Sequence, residues 1–263
     1  MKDLLNVALF QFNPLWEDAE ANIQKLNEWM ANVPSKTDMV ILPEMFLTGF
    51  SMHVGKVAQT MDGLGVNWMK TTARSKQITI MGSLAINDNG HVFNRFLIAS
   101  PDGEIQSYDK RHLFRMGKEH QYYSPGEAQY VFNNNGWRVM PLVCYDLRFP
   151  VWSRNVNLKY DLLIYVANWP EPRREAFMTL LKARAIENQC YVLAVNRVGQ
   201  DASGINYAGE SVIIDPKGKL TNEPNGIEQI ITGSISLGEL KSFRKKFPAY
   251  LDADEFTVNF TSL

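Results

Sequence analysis

Short, uninterrupted apolar runs constrain the fold of this chain more than any other feature. Residues 38–42 (DMVIL) and 161–166 (DLLIYV) are almost free of polar side chains, and residues 139–143 (VMPLV) are broken only by Pro141. Each is too short for a helix and lacks the alternation of a strand with one wet face. Each therefore reads as a strand buried on both faces. Amphipathic helices supply the cover. Ala19, Ile23, Leu26, Met30 and Val33 recur at three- and four-residue steps behind Asp18, a capping residue type. Further helices are expected over 65–76, 172–189 (core face Phe177, Leu180, Leu181, Ala185) and 237–246, and a short one over 151–157. Residues 6–12, 78–84, 92–99, 105–108, 191–196, 208–215 and 228–235 read as further strands, with NDNG (87–90) as the turn of a hairpin. Strands and helices alternate without internal repeats or linkers, which favours one α/β domain, a mixed sheet with helices outside, over residues 1–246. Residues 247–263 hold Phe247, Tyr250, Phe256 and Phe260 but little periodicity, so this tail is expected to pack on another part of the chain or on another subunit.

Composition narrows the function classes. The 263 residues are 45% hydrophobic with a net charge of −1, so there is no electrostatic case for nucleic acid or an anionic membrane as partner. No apolar stretch is long enough to span a bilayer, and the N-terminal segment lacks a secretory cleavage pattern. The two cysteines, Cys144 and Cys190, form neither a disulfide framework nor a metal knuckle. A cytoplasmic protein with reduced thiols is expected. His53, His91 and His120 lack metal-ligand spacing and read as surface residues. No glycine fingerprint is present, which disfavours a dinucleotide enzyme.

Residues 143–150 (VCYDLRFP) place Cys144 where a buried strand ends and a helix is expected to begin. There a thiolate gains from the helix dipole and from free backbone N–H groups. Two other strand ends also carry reactive residue types: Glu44 after Leu42-Pro43, and Lys110 after Tyr108-Asp109. Strand ends on one side of an α/β sheet converge on a crevice. A carboxylate, an ammonium and a thiol meeting there make an acyl-transfer site. Glu44 takes the thiol proton, Cys144 attacks the carbonyl or nitrile carbon, and Lys110 with the Tyr145 N–H holds the oxyanion. His112 is the competing base, which would make a Cys-His hydrolase; a structural hydrogen-bonding role is favoured for it.

PEMF around Glu44, YDKRHLF around Lys110 and VCYDLRFP around Cys144, in that order, resemble the Glu-Lys-Cys triad of the nitrilase superfamily. NWP (168–170) and ARAIENQ (183–189) are similar to two further stretches of it. The resemblance spans essentially the whole chain, and its detailed wording is similar to the omega-amidase branch. It implies a four-layer α-β-β-α sandwich, a thiol amidohydrolase without metal or organic cofactor, and a homodimer whose C-terminal tail crosses to the partner. It also implies a second glutamate between the lysine and the Pro-Gly, for which Glu119 matches better than Glu127. The implied substrates are small ω-amido 2-oxo acids such as 2-oxoglutaramate and 2-oxosuccinamate. Their carboxylate needs a cation: Arg115, Arg173 and Arg197 are candidates, with Arg173 favoured. Arg148 is expected to pair with a carboxylate and brace the elbow. Phe46, Tyr145 and Trp169, next to Asn168, are candidate pocket walls. The rivals are a nitrilase, carbamoylase or general amidase on the same scaffold, and a catalytically silent binding protein.

Overall fold

The computed structural model describes residues 2–258. In chain order its strands are β1 (Leu4–Gln11), β2 (Met39–Ile41), β3 (Thr79–Asp88), β4 (His91–Ala99), β5 (Ile105–Asp109), β6 (Phe132–Asn134), β7 (Trp137–Val143), β8 (Leu162–Ala167), β9 (Tyr191–Asn196), β10 (Val198–Gln200), β11 (Asn206–Ala208), β12 (Val212–Ile214) and β13 (Gln229–Ser236). Its α-helices are α1 (Ala19–Ala31), α2 (Val54–Val57), α3 (Leu64–Lys76), α4 (Arg174–Asn188) and α5 (Leu237–Lys246). The strands form two main sheets, as the family resemblance implies, where periodicity alone favoured a single mixed sheet. The first has the order β13-β1-β2-β3-β4-β5 and the second β12-β9-β8-β7-β6, with β10 and β11 as a separate ribbon. In both, a parallel centre (β1-β2-β3 and β7-β8-β9) is flanked by antiparallel strands.

The apolar runs explain why there are two sheets. Successive side chains of a strand point to opposite faces. On β1, Leu5, Val7 and Leu9 join the core between the sheets, while Ala8 and Phe10 join a second core under α1 and α3. On β2, Met39 and Ile41 face the second sheet and Val40 faces the helices. Phe177, Leu181 and Ala185 of α4, and Leu240 of α5, cover the second sheet. The layers are thus helix, sheet, sheet, helix. Full burial of one such aliphatic side chain contributes roughly 1.5–3 kcal/mol. The helix ends are fixed locally: the Asp18 carboxylate accepts from the Ala21 N–H at 3.0 Å to start α1. Asn89 and Gly90, both at positive φ, make the β3–β4 turn that NDNG predicts.

One predicted element is absent and another is divided. Residues 151–157 are not a helix but turns and a short 3₁₀ segment, Val156–Leu158. Asn155 is the cause: its side chain donates to the carbonyls of Tyr160 and Asn188 and accepts from the Tyr160 N–H, replacing helical backbone bonds. The strand expected over 208–215 is cut by Gly209 and Glu210, both left-handed, so that β11 and β12 belong to different sheets. The tail begins on its own chain: the Gln189 side chain donates to the Phe247 carbonyl and accepts from the Tyr250 N–H. Phe247, Leu251 and Phe256 stay exposed. Phe260, also assigned to the tail, lies outside the described residues.

Helix α5 is pinned to the second sheet by Arg244. Its guanidinium donates to Asp161 Oδ1 at 2.7 Å and to the carbonyls of Tyr160 and Gln189, both at 2.9 Å. Asp161 also takes a two-pronged pair from Arg138. Burial pushes the Asp161 carboxyl up, but the hydrogen bonds from both arginines outweigh it and hold the carboxyl below the usual range. Its folded value is therefore below its unfolded one. The stabilisation is present at neutral pH and is lost as pH falls through the folded value. Arg244→Ala should lower unfolding free energy by roughly 3 kcal/mol at neutral pH, by leaving a buried carboxylate short of its partner. Denaturant midpoints should show that the deficit shrinks in acid.

Candidate active site

Glu44 follows β2, Lys110 follows β5, Cys144 follows β7 and Asn168 follows β8. The sequence reading expected convergence at the edge of one sheet. The structure instead sets the first two residues on one sheet and the last two on the other, so the crevice opens along the seam between them. The β4 and β5 reversals bring the C-terminal end of β5 to the same side as that of β2.

At the bottom of the crevice lies a buried charge cluster. Glu44 and Glu119 are fully buried and Lys110 is 1% exposed. Lys110 Nζ donates to Glu44 Oε1 at 2.9 Å and to Glu119 Oε1 at 3.0 Å. Asn94 Nδ2, from β4, donates to the same two oxygens at 2.7 and 3.2 Å. Glu44 Oε2 accepts from the Asn168 N–H at 2.8 Å, and Glu119 Oε2 from the Phe114 N–H at 2.6 Å. Burial works against the Lys110 charge, yet Glu119 and Glu44 together hold its pKa above the usual lysine range. Lys110 is therefore an ammonium at every working pH. Burial and the neighbouring Glu44 charge push the Glu119 carboxyl up, against the pull of Lys110.

Cys144 sits at φ 43°, a left-handed conformation that a side chain with a Cβ rarely adopts. It opens a five-residue 3₁₀ segment, Cys144–Arg148. Asp146 holds this strained turn. One of its oxygens accepts from the Val143 N–H at 3.0 Å and the Tyr108 hydroxyl at 2.8 Å. The other accepts from the His112 N–H at 3.0 Å and faces its Nδ1 at 2.8 Å. His112 also stacks on Phe149 with ring centroids 3.7 Å apart. Its ring is thus engaged by Asp146 rather than turned to the thiol. The surroundings of Cys144 favour the neutral thiol, the form whose proton Glu44 is expected to take. Burial, and then the Glu44 carboxylate, push the Cys144 thiol well above its ordinary range, and Lys110 only partly offsets them. Glu44, a carboxylate placed to take its proton, shares the cavity wall with the thiol.

A model of the carbon-nitrogen hydrolase family matches residues 6–245. The chain belongs to the carbon-nitrogen hydrolase family, in the nitrilase superfamily. It is 44% identical over 255 residues to the omega-amidase YafV of Escherichia coli (strain K12), covering 97% of this chain and 98% of that protein. It is 34% identical over 250 residues to the 2-oxoglutaramate amidase of Bacillus subtilis (strain 168), covering 94% and 96%. Among solved structures, it matches XC1258 from Xanthomonas campestris with a TM-score of 0.96 at 44% identity, covering 98% of this chain and 100% of that one. XC1258 is described as a CN-hydrolase superfamily protein with an arsenic adduct in its active site. Nit3 of Saccharomyces cerevisiae, at 24% identity and a TM-score of 0.83 over 94% of this chain and 96% of that one, shares the fold.

In this carbon-nitrogen hydrolase a cavity of ≈ 440 Å³ opens above the cluster. Glu44, Lys110, Cys144, Tyr145, Asn168, Trp169, Arg148 and Arg173 all reach its wall. Glu119 lies behind Lys110. Three expectations need correction. Phe46 is not a wall: the left-handed Met45 turns the chain after Glu44, and the ring packs beside Trp68 in the helix-side core. Arg115 is exposed on the outer side of a 3₁₀ turn, Arg115–Gly117, and does not reach the cavity. Arg148 forms no ion pair among the described residues; its guanidinium lies 4.9 Å from the Trp169 ring centroid, at the cavity wall. Arg197, the third arginine weighed, is buried under Tyr207 and bonded to Asn13. Sequence reasoning missed Asn94 and Asp146. The signal for Asn94 was a polar pair, Asn94-Arg95, ahead of the apolar run FLIA (96–99).

Gly126 shows how tightly Lys110 is placed. Its N–H donates to the Lys110 carbonyl at 2.9 Å, and a Cβ there would lie 2.1 Å from the Asp109 carbonyl oxygen. Backbone cannot yield as a side-chain tip can. Gly126→Ala should therefore displace the end of β5. The expected result is a loss of hydrolase activity of at least about tenfold, since a misplacement near 1 Å costs up to about 10², with a folded circular-dichroism spectrum.

Proposed function

We propose that this enzyme hydrolyses the terminal amide of small ω-amido 2-oxo acids, 2-oxoglutaramate and 2-oxosuccinamate, to the dicarboxylate and ammonia. The amidase names of the relatives at 44% and 34% identity support this reading. The observation that carries the chemistry is the Glu44 carboxylate. One of its oxygens is occupied by Lys110 and Asn94 and the other takes the Asn168 N–H, and it shares the cavity wall with the neutral Cys144 thiol.

In the proposed cycle, the Cys144 proton passes to Glu44 as Sγ attacks the amide carbon. The tetrahedral oxygen gains its charge between the Lys110 ammonium and the Tyr145 N–H, an amide in the leading turn of the 3₁₀ segment, where backbone donors lack helical partners. Collapse breaks the carbon–nitrogen bond, and Glu44 gives its proton to the departing ammonia. A water then attacks the Cys144 thioester while Glu44 takes the water's proton. The second collapse releases the acid and returns a proton to the thiol. Glu119 keeps Lys110 charged and in place. Arg173, whose guanidinium lies 5.4 Å from the Phe114 ring centroid, is the favoured partner for the substrate carboxylate. Trp169 and Asn168 wall the acyl end. Residues 1–246 are read as the hydrolase domain, acting in the cytoplasm as a homodimer, with the tail from 247 crossing to a second copy.

An ammonia-release screen over 2-oxoglutaramate, 2-oxosuccinamate, a simple aliphatic amide, a nitrile and an N-carbamoyl amino acid tests the assignment. Preference for the first two is expected, and preference for any other would refute it. Cys144→Ala should abolish turnover, Lys110→Ala should cost at least about 10²–10³ in kcat, and Glu119→Ala should also impair kcat. Arg173→Met should raise KM for 2-oxoglutaramate by roughly tenfold or more, the loss of one charge-assisted pair, and leave a neutral amide unchanged.

A further inference from the structure

The two buried carboxylates are held together by two donors, and only one of them is charged. Lys110 Nζ and Asn94 Nδ2 each donate to both Glu44 Oε1 and Glu119 Oε1, closing a ring of four hydrogen bonds. Asn94 is fully buried on β4, and both N–H groups of its amide are spent in this ring. Its Oδ1 has no hydrogen-bond partner among the described residues. The orientation of the amide is forced, because turning it over would press a carbonyl oxygen against two carboxylates. The bond to Glu44 is the shorter of its two, 2.7 against 3.2 Å.

We infer that Asn94 is a positioning residue that keeps Glu44 ionised and its free lone pair turned to Cys144. This rests on the reading of Glu44 as the general base. The physical reason is that a donor to the charged form of an acid favours that form. Two carboxylates sharing a single ammonium would otherwise tend to trap a proton, and a proton trapped on Glu44 removes the base. Asn94 adds a second donor without adding a charge. It reaches Glu44 more closely than Glu119, so the extra stabilisation falls on the residue that must accept the thiol proton. Its backbone contributes separately. The Asn94 carbonyl accepts from the Lys110 N–H at 3.0 Å, so the ring and the strand end carrying Lys110 are set by one residue. The other titratable groups facing Glu44 are Cys144, Lys110 and Glu119, with the Tyr123 and Tyr207 hydroxyls further out.

Alkylation of Cys144 by iodoacetamide tests this without any substrate. The sulfur–carbon bond forms, iodide leaves and the thiol proton passes to Glu44. The acid limb of the rate–pH profile therefore reports the ionisation of Glu44. Asn94→Asp keeps the shape and turns the donor into a third carboxylate; Asn94→Ala removes the donor. Both should move the acid limb upward, Asn94→Asp further than Asn94→Ala. Glu44→Gln should abolish that limb. Circular dichroism verifies the fold, and the isosteric Asn94→Asp stands in should Asn94→Ala unfold. A slower reaction with an unmoved acid limb in both variants would overturn the inference and leave Glu44 as base intact. An unmoved limb in Glu44→Gln would overturn the base reading itself.

Discussion

A lysine ammonium and two glutamates with almost no solvent access dominate the structure around the site. Unpaired, each such charge costs several kcal/mol even after relaxation. The cost is tolerable only because nearly every oxygen lone pair has a donor: Lys110, Asn94, the Asn168 amide and the Phe114 amide. Those donors come from β4, the end of β5, the loop after it and the end of β8. Four separate parts of the chain must therefore be in register before the cluster is stable. The charges thus enforce the geometry that acyl transfer needs, and a half-assembled site would be strongly disfavoured rather than merely inactive.

The nucleophile is held by a different device. Cys144 occupies a left-handed turn that carries a backbone cost, and Asp146 sustains it by taking donors from Val143, Tyr108 and His112. Strain of this kind persists only where surrounding bonds over-determine it. Here they lift the thiol out of the sheet toward Glu44. The arrangement also explains why a neutral thiol suits the site. A thiolate would face Glu44 in a water-poor cluster that already has two carboxylates to one ammonium. Handing over its proton only at the moment of attack avoids a third buried negative charge.

Much of this was legible in the sequence, for reasons that differ by element. Uninterrupted runs such as DMVIL can only be strands with cover on both sides, and α1 announces itself through Asp18 and its apolar stripe. Glu44 and Cys144 stood out because each is a reactive type at the end of such a run, and Lys110 because it follows the strand read over 105–108. What was hidden depends on contacts distant in sequence. The split into two sheets follows from which faces of β1 and β2 meet which partner, and periodicity does not encode that. Asn94 acts on residues 50 and 25 positions away, so its role is invisible in its own strand. Phe46 and Arg115 failed because one residue of rotation in a turn carries a side chain to the opposite side. The helix expected after Cys144 failed because one asparagine, Asn155, offered the backbone an alternative.

The two sheets divide the work, and this makes their seam the sensitive part of the molecule. The first sheet brings Glu44, Lys110, Glu119 and Asn94; the second brings Cys144 and Asn168. The apolar core between them supplies most of the adhesion, but hydrophobic burial has no direction and would tolerate a slide. The polar ties across the seam remove that freedom. Asn168 binds Glu44 through both its backbone N–H and its side chain, and Tyr108 binds Asp146 beneath the elbow. A shift of one sheet by a fraction of an ångström would keep the core buried yet break these bonds together. Bulk stability and catalytic geometry are therefore carried by different interactions at one interface, and a substitution there can damage one while leaving the other whole.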